Sequence, residues 1–150
     1  MGEGKPVNEA TFGPAKTPWH LWLVGIGTLL FNAMGVLSYM ITELGMLAAA
    51  GMTPDQIAFM DSYPAGAIAF WALGVWGAFA GSALLLLRSK WAVAAMVVAT
   101  VGLIGTTIYN HALIDVPADM AAPALDVAIW AVTLLLLFYA RRMAAAGVLK

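Results

Sequence analysis

The sequence predicts an all-α fold, a transmembrane four-helix bundle, on three observations. Apolar residues make up 63% of the chain and charged residues only 10%. The apolar residues form four blocks, each close to the length of about 20 residues that a helix needs to cross the hydrocarbon core of a bilayer. Runs such as the four leucines at residues 84–87 lack the alternation of a barrel strand, and in lipid only helices and closed barrels satisfy their backbone.

The composition also restricts the class of function. The chain has no cysteine, so it carries no disulfide framework and no thiolate metal site. A formal net charge of -1 gives no basis for a nucleic-acid partner. The sequence contains no nucleophile elbow, HExxH helix or phosphate-binding glycine loop. Because His20 and His111 fall at opposite ends of the predicted bundle, they cannot share one metal or haem, and we predict no enzyme activity, no cofactor and no metal.

The chain opens with a segment unlike the rest. Residues 1–17 mix proline, glycine and both signs of charge, which predicts a short flexible cytoplasmic tail that cannot fold alone. Pro18 suits the first turn of a helix, and Trp19 and Trp22 suit the headgroup depth of a bilayer. The first span therefore begins here.

A helix-start signal follows the first span. Thr53-Pro54-Asp55-Gln56 supplies an N-cap threonine, a proline at the first helical position and a capping-box glutamine. We expect a short helix from Pro54 to Asp61 that lies on the membrane surface.

The second span carries small residues suited to helix packing. It opens at Pro64 and contains Gly74, Gly77 and Gly81, whose spacing lets helix backbones approach closely in lipid. Residues 88–90 make a tight turn into the third span, and a short acidic link leads to the fourth. The predicted spans are 19–42, 64–87, 91–113 and 123–140, in a membrane domain of residues 18–142, with residues 143–150 as a second cytoplasmic tail.

Charge is distributed unevenly between the two ends of the predicted bundle. All seven Lys and Arg fall in the two tails or in the turn at residues 88–90, and six of the eight Asp and Glu fall at the other end. By the positive-inside rule, we expect both termini in the cytoplasm. The six acids are Glu43, Asp55, Asp61, Asp115, Asp119 and Asp126.

Two pairs of similar segments predict an internal repeat. Thr28 precedes Asn32 by four residues, as Thr106 precedes Asn110, and this spacing puts each pair of side chains on one helix face. The first and third spans would then be related, as would the second and fourth, in a parallel repeat of helical hairpins. The alternative is chance likeness between apolar helices of low complexity. The second pair of similar segments is 64–73 with 123–132.

The polar side chains within the spans form the first candidate site. An unpaired amide is costly in lipid, so Asn32 and Asn110 should face protein. One interpretation is structural glue, with each amide bonded across the bundle. The other is a small cavity for a neutral, hydroxyl-rich solute, since a charged solute would require a buried ion. The predicted lining is Asn32, Asn110, Thr28, Thr106, Tyr109 and Tyr39.

The second candidate site lies at the outer boundary of the bundle. Its residues could be solvated helix ends, and Asp126 close after Pro123 favours a helix N-terminus. As a functional site they would form an outward-facing vestibule or a protonatable site, for which His111 is the candidate group. The vestibule residues are Glu43, Asp61, His111, Asp115 and Asp126.

Five segments carry the motifs of one group of proteins: Pro18-Trp19-His20-Leu21-Trp22, Phe31-Asn32-Ala33-Met34-Gly35, Tyr39-Met40, Phe70-Trp71-Ala72-Leu73-Gly74-Val75-Trp76-Gly77 and Thr107-Ile108-Tyr109-Asn110. With them the chain resembles small four-span inner-membrane proteins of Gram-negative bacteria, from Pro18 to Lys150. Some members are labelled sugar transporter, so the resemblance implies an inner-membrane location and, through that label, transport. Where the group often has Asp, this chain has Ser38.

Two functions from different classes follow. The first is a transport or permeation component for a small neutral solute. Four spans are few for a complete transporter, so this function predicts a homo-oligomer, joined through Gly77 and Gly81. The second is an accessory or scaffold subunit, whose small-residue faces bind another membrane protein. The lipid bilayer is a partner in both.

Overall fold

A computed structural model describes residues 15–150, and its regular structure is entirely helical within that range. Four of its helices are long and apolar enough to cross a membrane, which confirms the predicted fold class. The predicted tail of residues 1–17 lies almost wholly outside the described residues. The helices are α1 (Trp19–Glu43), α2 (Pro54–Asp61), α3 (Ala65–Leu86), α4 (Trp91–Ile108) and α5 (Pro123–Ala145), and a π-helical turn, Tyr109–Leu113, extends α4.

The long helices follow one another in space as they do along the chain. The α3–α4 interface is the most extensive, α1 packs on α3, and α5 packs on α4, whereas α1 and α5 make few contacts. We name the two ends of the bundle by their charge. The basic end holds the start of α1, the turn at residues 87–90 and the end of α5, and the acidic end holds α2 and the link at residues 114–122.

Glycines bring α3 and α4 close together. A Cβ atom added to Gly77 would lie 2.9 Å from the Ala99 nitrogen and 3.1 Å from the Ala95 oxygen. One added to Gly102 would collide with the backbone of Gly74. Gly81 likewise faces α4, at the Met96 side chain. The three predicted packing glycines, Gly74, Gly77 and Gly81, therefore all pack against α4 within one chain. The prediction that Gly77 and Gly81 join two copies is wrong.

The end of the chain folds back onto the basic end. Gly147 has a φ of 70° and closes α5 in a Schellman turn, in which the Val148 amide donates to the Met143 carbonyl at 3.0 Å. This turn returns Val148 and Leu149 to the core, where they are 4% and 1% exposed. The Lys150 amide then donates to the carbonyl of Arg88 at 2.7 Å.

These contacts correct the sequence prediction for residues 143–150. They are not a tail, because α5 continues to Ala145 and the last apolar residues pack against the α3–α4 turn. Arg88 itself has a φ of 57°, in the left-handed region that favours glycine.

The short helix α2 forms as its start signal predicts. Thr53 caps the helix by accepting from the Gln56 amide, and the Gln56 side-chain oxygen accepts from the Thr53 amide at 3.0 Å. The Gln56 nitrogen donates to Asp119 at 2.8 Å. One side chain thus ties α2 to the link between α4 and α5.

Candidate functional site

A cleft of about 680 Å³ enters the bundle from the acidic end. Its mouth is bordered by Tyr63, by the start of α5 and by the 114–122 link, and its walls come from α3, α4 and α5. The cleft reaches the middle of the bundle, where one residue from each long helix lines its floor. These floor residues are Gly35, Ala78, Ala99 and Thr133.

The cleft exists because the bundle is packed unevenly. The fully buried larger apolar side chains, among them Leu85, Met96 and Leu136, lie in the basic half. At that end α1 and α5 meet, where His20 Nδ1 is hydrogen-bonded to the Tyr139 hydroxyl. Few other contacts join α1 and α5. The acidic half is therefore open and the basic half is closed.

The π-helical turn positions Asn110 at the mouth. π-helical turns are uncommon and occur frequently at functional sites. The Tyr63 hydroxyl donates to Asn110 Oδ1 at 3.0 Å, and the Tyr63 ring packs edge-on against Tyr109 with ring centres 5.1 Å apart. Burial, with a smaller contribution from Tyr109, raises the pKa of the Tyr63 phenol above its ordinary value, which keeps it protonated as a donor.

Two tryptophans line the walls of the cleft, Trp71 from α3 and Trp130 from α5. Trp130 Nε1 donates to the Thr107 hydroxyl at 3.1 Å, so its indole is held against α4. Trp71 packs edge-on against Tyr39 of α1, with ring centres 5.2 Å apart. Each of the four long helices thus contributes either one of these two tryptophans or the residue that holds it in place.

Thr133 is the one polar side chain on the floor. It is only 5% exposed, yet no hydrogen bond joins its hydroxyl to another group within residues 15–150. The hydroxyls of Thr100 and Thr106 instead donate to the carbonyl four residues before them. Every fully enclosed side-chain nitrogen or oxygen in the described chain has a partner. The Thr133 hydroxyl therefore faces the open space of the cleft.

Charged groups gather at the mouth. His111 Nε2 lies 3.5 Å from Asp126 Oδ2, and both side chains are about half exposed, at 61% and 48%. Asp115 also lines the mouth. The residues that line the cleft include two carboxylates and no Lys or Arg.

The structure brings together only part of the predicted sites. Of the predicted cavity lining, Asn110 and Thr106 border the cleft; of the predicted vestibule, His111, Asp115 and Asp126 do. The cleft therefore combines some residues of the predicted cavity with some residues of the predicted vestibule. The residues that do not line it are Asn32, Thr28, Tyr109, Tyr39, Glu43 and Asp61.

Asn32 has a structural role instead. It is 8% exposed and donates to the Ala78 carbonyl at 3.2 Å and to the Ser82 hydroxyl at 2.9 Å. These bonds hold α1 on α3, as the structural-glue interpretation predicts. The prediction that Asn32 and Asn110 face one cavity is wrong, because Asn32 lies in the middle of α1 and Asn110 at the acidic end of the bundle.

Other predicted residues are also satisfied locally. The Thr28 hydroxyl donates to the Val24 carbonyl of its own helix at 2.8 Å. The different depths of Asn32 and Asn110 give the predicted repeat no support, although Trp71 and Trp130, from the second pair of similar segments, both line the cleft. The repeat stays a prediction.

Sequence reasoning missed Thr107, Trp130 and Thr133 as lining residues. The seven-residue spacing from Pro64 to Trp71 and from Pro123 to Trp130 was a usable signal for the tryptophans. Nothing in the sequence marks Thr133, whose place depends on the rotation of α5. Within residues 15–150, no group of three His, Asp or Glu could hold a metal ion.

Comparisons of the chain with protein-family models, with curated proteins and with solved structures find no match. The resemblance to small inner-membrane proteins of Gram-negative bacteria therefore stays a prediction, and the candidate function depends on the geometry of the cleft.

Proposed function

We propose that this multi-pass membrane protein binds a small organic solute in the cleft, as one step of transport across a bacterial inner membrane. The observation that carries the proposal is a cleft that enters from one end and stops at mid-bundle. Its volume falls within the range of about 300–1,000 Å³ of small-molecule sites, and such sites combine apolar walls with a few polar groups.

The direction of entry follows from charge. The Lys and Arg of residues 15–150 lie at the basic end, and the positive-inside rule places such ends in the cytoplasm. The mouth of the cleft then faces the periplasm, with both termini in the cytoplasm. The resemblance to bacterial inner-membrane proteins supports the bacterial inner membrane as the location.

The closed basic end supports transport as well as binding. Alternating access requires a site that opens to one side at a time, usually by rocking of helices about the site. In this bundle, a packed apolar core closes the basic end, and within the described chain α1 and α5 are joined there by the hydrogen bond between His20 and Tyr139. Parting of α1 and α5 there would open the floor of the cleft to the other side.

The alternative function, an accessory subunit, depended on small-residue faces free to bind a partner. Gly74, Gly77 and Gly81 of α3 face α4 within the chain. The outer surface instead carries large apolar side chains, such as Leu30 and Leu135, which suit contact with lipid. A homo-oligomer remains part of the proposal because four spans are few for a transporter, and it would use a surface other than Gly77 and Gly81.

The absence of cysteine makes the proposal directly testable by thiol labelling. Thr133→Cys would place one thiol on the cleft floor. Leu136→Cys, in the packed core at 1% exposure, and Leu135→Cys, on the outer surface at 67%, are matched controls on α5. The reagents are two membrane-impermeant thiosulfonates, one cationic and one anionic, applied to either face of vesicles.

We expect Thr133→Cys to react from the acidic end with at least one reagent, and both controls to stay unreactive, because a thiol in the core or in lipid does not ionise. No reaction of Thr133→Cys from the acidic end would overturn the proposal. Reaction at equal rates from both faces would show an open pore in place of a one-sided site. Gel-filtration elution checks that each variant is folded.

A second variant tests the transport step. Tyr139→Phe, combined with Thr133→Cys, removes the bond between α1 and α5 at the basic end. We expect labelling from the basic face to appear or rise in this variant, because the closed end then opens more often. Unchanged labelling would argue for a binding protein that does not open to that side.

A further inference from the structure

The charge of the cleft narrows the class of ligand. Asp115 and Asp126 lie at its mouth, and none of the residues that line it is Lys or Arg. We propose that the ligand is a small organic cation, an ammonium-type head on an apolar body. This inference rests on the proposed function and names its substrate class. Four features of the cleft support it. They are the aromatic walls, the carboxylates at the mouth, the hydroxyl on the floor, and the hydrogen bonds that other polar groups already make within the protein.

The aromatic walls suit a cation more than an uncharged solute. Trp71 and Trp130 line the cleft from α3 and α5, and Tyr63 lies at the mouth. The π face of tryptophan is the best aromatic partner for an ammonium group, and the attraction grows where water is excluded. A cation that enters between these side chains loses contacts with water and gains contacts with aromatic rings and a carboxylate.

Several polar atoms of the cleft already have hydrogen-bond partners within the protein. Thr106 donates to its own helix, the Thr107 hydroxyl accepts from Trp130, and Asn110 Oδ1 accepts from Tyr63, so the Asn110 amide hydrogens and the Thr107 hydroxyl hydrogen are the donors that stay free. A hydroxyl-rich solute such as a sugar would need many free donors and acceptors. It would leave these groups or its own hydroxyls unpaired, at a cost of about 1–3 kcal/mol for each buried group. The neutral-solute prediction also depended on Asn32, which lies outside the cleft.

Asp126 and Thr133 lie towards the two ends of the cleft on one helix, and we take them to mark the two ends of the ligand. Asp126 is at the mouth, where its neighbour is a half-exposed His111. Thr133 is on the floor, 5% exposed and without a hydrogen-bond partner in the described residues. Along α5 these two residues are about 10 Å apart, at about 1.5 Å per residue. The cleft therefore fits a cation of about that length, with the ammonium near Asp126 and a hydrogen-bonding group at Thr133.

An anion finds no Lys or Arg among the residues that line this site. The basic side chains of the described chain lie at the opposite end of the bundle, beyond the closed core. The His111 side chain, which also lines the cleft, lies 3.5 Å from the Asp126 carboxylate. The charge pattern therefore selects against carboxylate and phosphate ligands.

The test compares three probes that share a benzyl group. Benzyltrimethylammonium is the cation, benzyl alcohol the neutral compound and phenylacetate the anion. Binding to the purified full chain in lipid nanodiscs is followed by tryptophan fluorescence. Asp126→Asn removes the mouth charge, and Asp55→Asn, on the exposed start of α2, is a matched control. Trp130→Leu removes an aromatic wall, and Trp130→Phe retains a ring.

We expect the cation to bind best. Asp126→Asn should weaken cation binding by about threefold to tenfold, a moderate effect because the carboxylate is half exposed. Trp130→Leu should weaken it by about tenfold, with partial rescue in Trp130→Phe. Asp55→Asn should leave it unchanged. In the thiol assay, the cationic reagent should react with Thr133→Cys faster than the anionic one.

The outcomes separate this inference from the proposed function. Equal binding of benzyl alcohol and benzyltrimethylammonium, or equal rates for the two thiol reagents, would overturn the cation while the cleft remains a binding site. An unreactive Thr133→Cys would overturn the proposed function and this inference together. Loss of cation binding in Asp55→Asn as well as Asp126→Asn would show a general surface charge effect and would overturn the assignment to the cleft.

Discussion

Asn32 shows how one amide joins two helices in this bundle. It donates to the Ala78 carbonyl and to the Ser82 hydroxyl, and Ser82 itself donates to Ala78 at 3.1 Å. All three groups are buried, so they satisfy one another away from water and lipid. The position of the amide within α1 therefore fixes the register of α1 on α3.

Replacing Asn32 by leucine should lower stability and leave ligand binding unchanged. The change removes two bonds between helices, and we expect a loss of about 1 kcal/mol in the free energy of unfolding. Ser82 keeps its bond to Ala78, so no buried group is orphaned. The measurement is unfolding in bicelles, with Asn110→Leu as the comparison. An altered ligand affinity in Asn32→Leu would contradict the structural role.

Tyr63 should make stability fall at alkaline pH. Its pKa lies above the ordinary 10.0 in the folded protein, through burial first and Tyr109 second. The unfolded chain releases the phenol proton at about the ordinary value, while the folded chain retains it. The Tyr63 contribution is therefore fully present below pH 10.0 and is lost as pH rises through the folded pKa.

The check is unfolding free energy measured at rising alkaline pH in the wild-type chain and in Tyr63→Phe. The phenylalanine variant should lose part of the pH dependence, together with the bond to Asn110. If both proteins show the same slope above pH 10.0, the Tyr63 phenol is not the group responsible.

At the scale of elements, the α3–α4 pair depends on close backbone contact. A side chain at Gly102 would meet the Gly74 backbone and the Phe70 oxygen, neither of which can rotate away. Gly27 on α1 has no atom within 4 Å of an added Cβ. The two glycines therefore form a matched pair for testing helix packing.

Gly102→Ala should destabilise the protein by about 1–3 kcal/mol, since α3 and α4 must move apart. Gly27→Ala should be neutral or stabilise by up to about 1 kcal/mol, because alanine favours a helix. Thermal unfolding of both variants distinguishes the two effects. Similar losses in both would show that helix propensity or lipid contact, not the α3–α4 contact, dominates.

The helices themselves were predictable because their signals are local. Hydropathy, Pro64 and Pro123 mark the spans, and the capping box of α2 is readable from Thr53 and Gln56. The π-helical turn was not predictable, since it accompanies a tertiary bond between Tyr63 and Asn110. Nor was the return of the last residues to the core, which needs the left-handed turn at Gly147 and a site for Leu149.

At the scale of the whole molecule, the packed core lies at the basic end and the open cleft lies at the acidic end. The packed core at the basic end includes Leu149, 1% exposed, whereas Leu87 at the same end is 75% exposed. Leu149→Ala should lower the free energy of unfolding by about 2–5 kcal/mol. Leu87→Ala should change it by less than about 0.5 kcal/mol. Equal effects in chemical unfolding would contradict the packing of the chain end.

The set of residues that line the cleft was predictable only in part. Sequence spacing places residues on a helix face but leaves the depth and rotation of each helix open. Asn110, His111 and Asp126 meet because the starts and ends of their helices lie at one end of the bundle. Asn32 shares a local pattern with Asn110 and lies elsewhere, since α1 is longer beyond it.

The Gln56 amide belongs to two segments at once. Its oxygen completes the start of α2, and its nitrogen binds Asp119 in the link that borders the mouth of the cleft. An exposed hydrogen bond between neutral and charged groups exchanges readily with water. Breaking this one bond separates the link from α2 and unwinds neither segment, so the proposed entry of a ligand would require no loss of secondary structure at the rim.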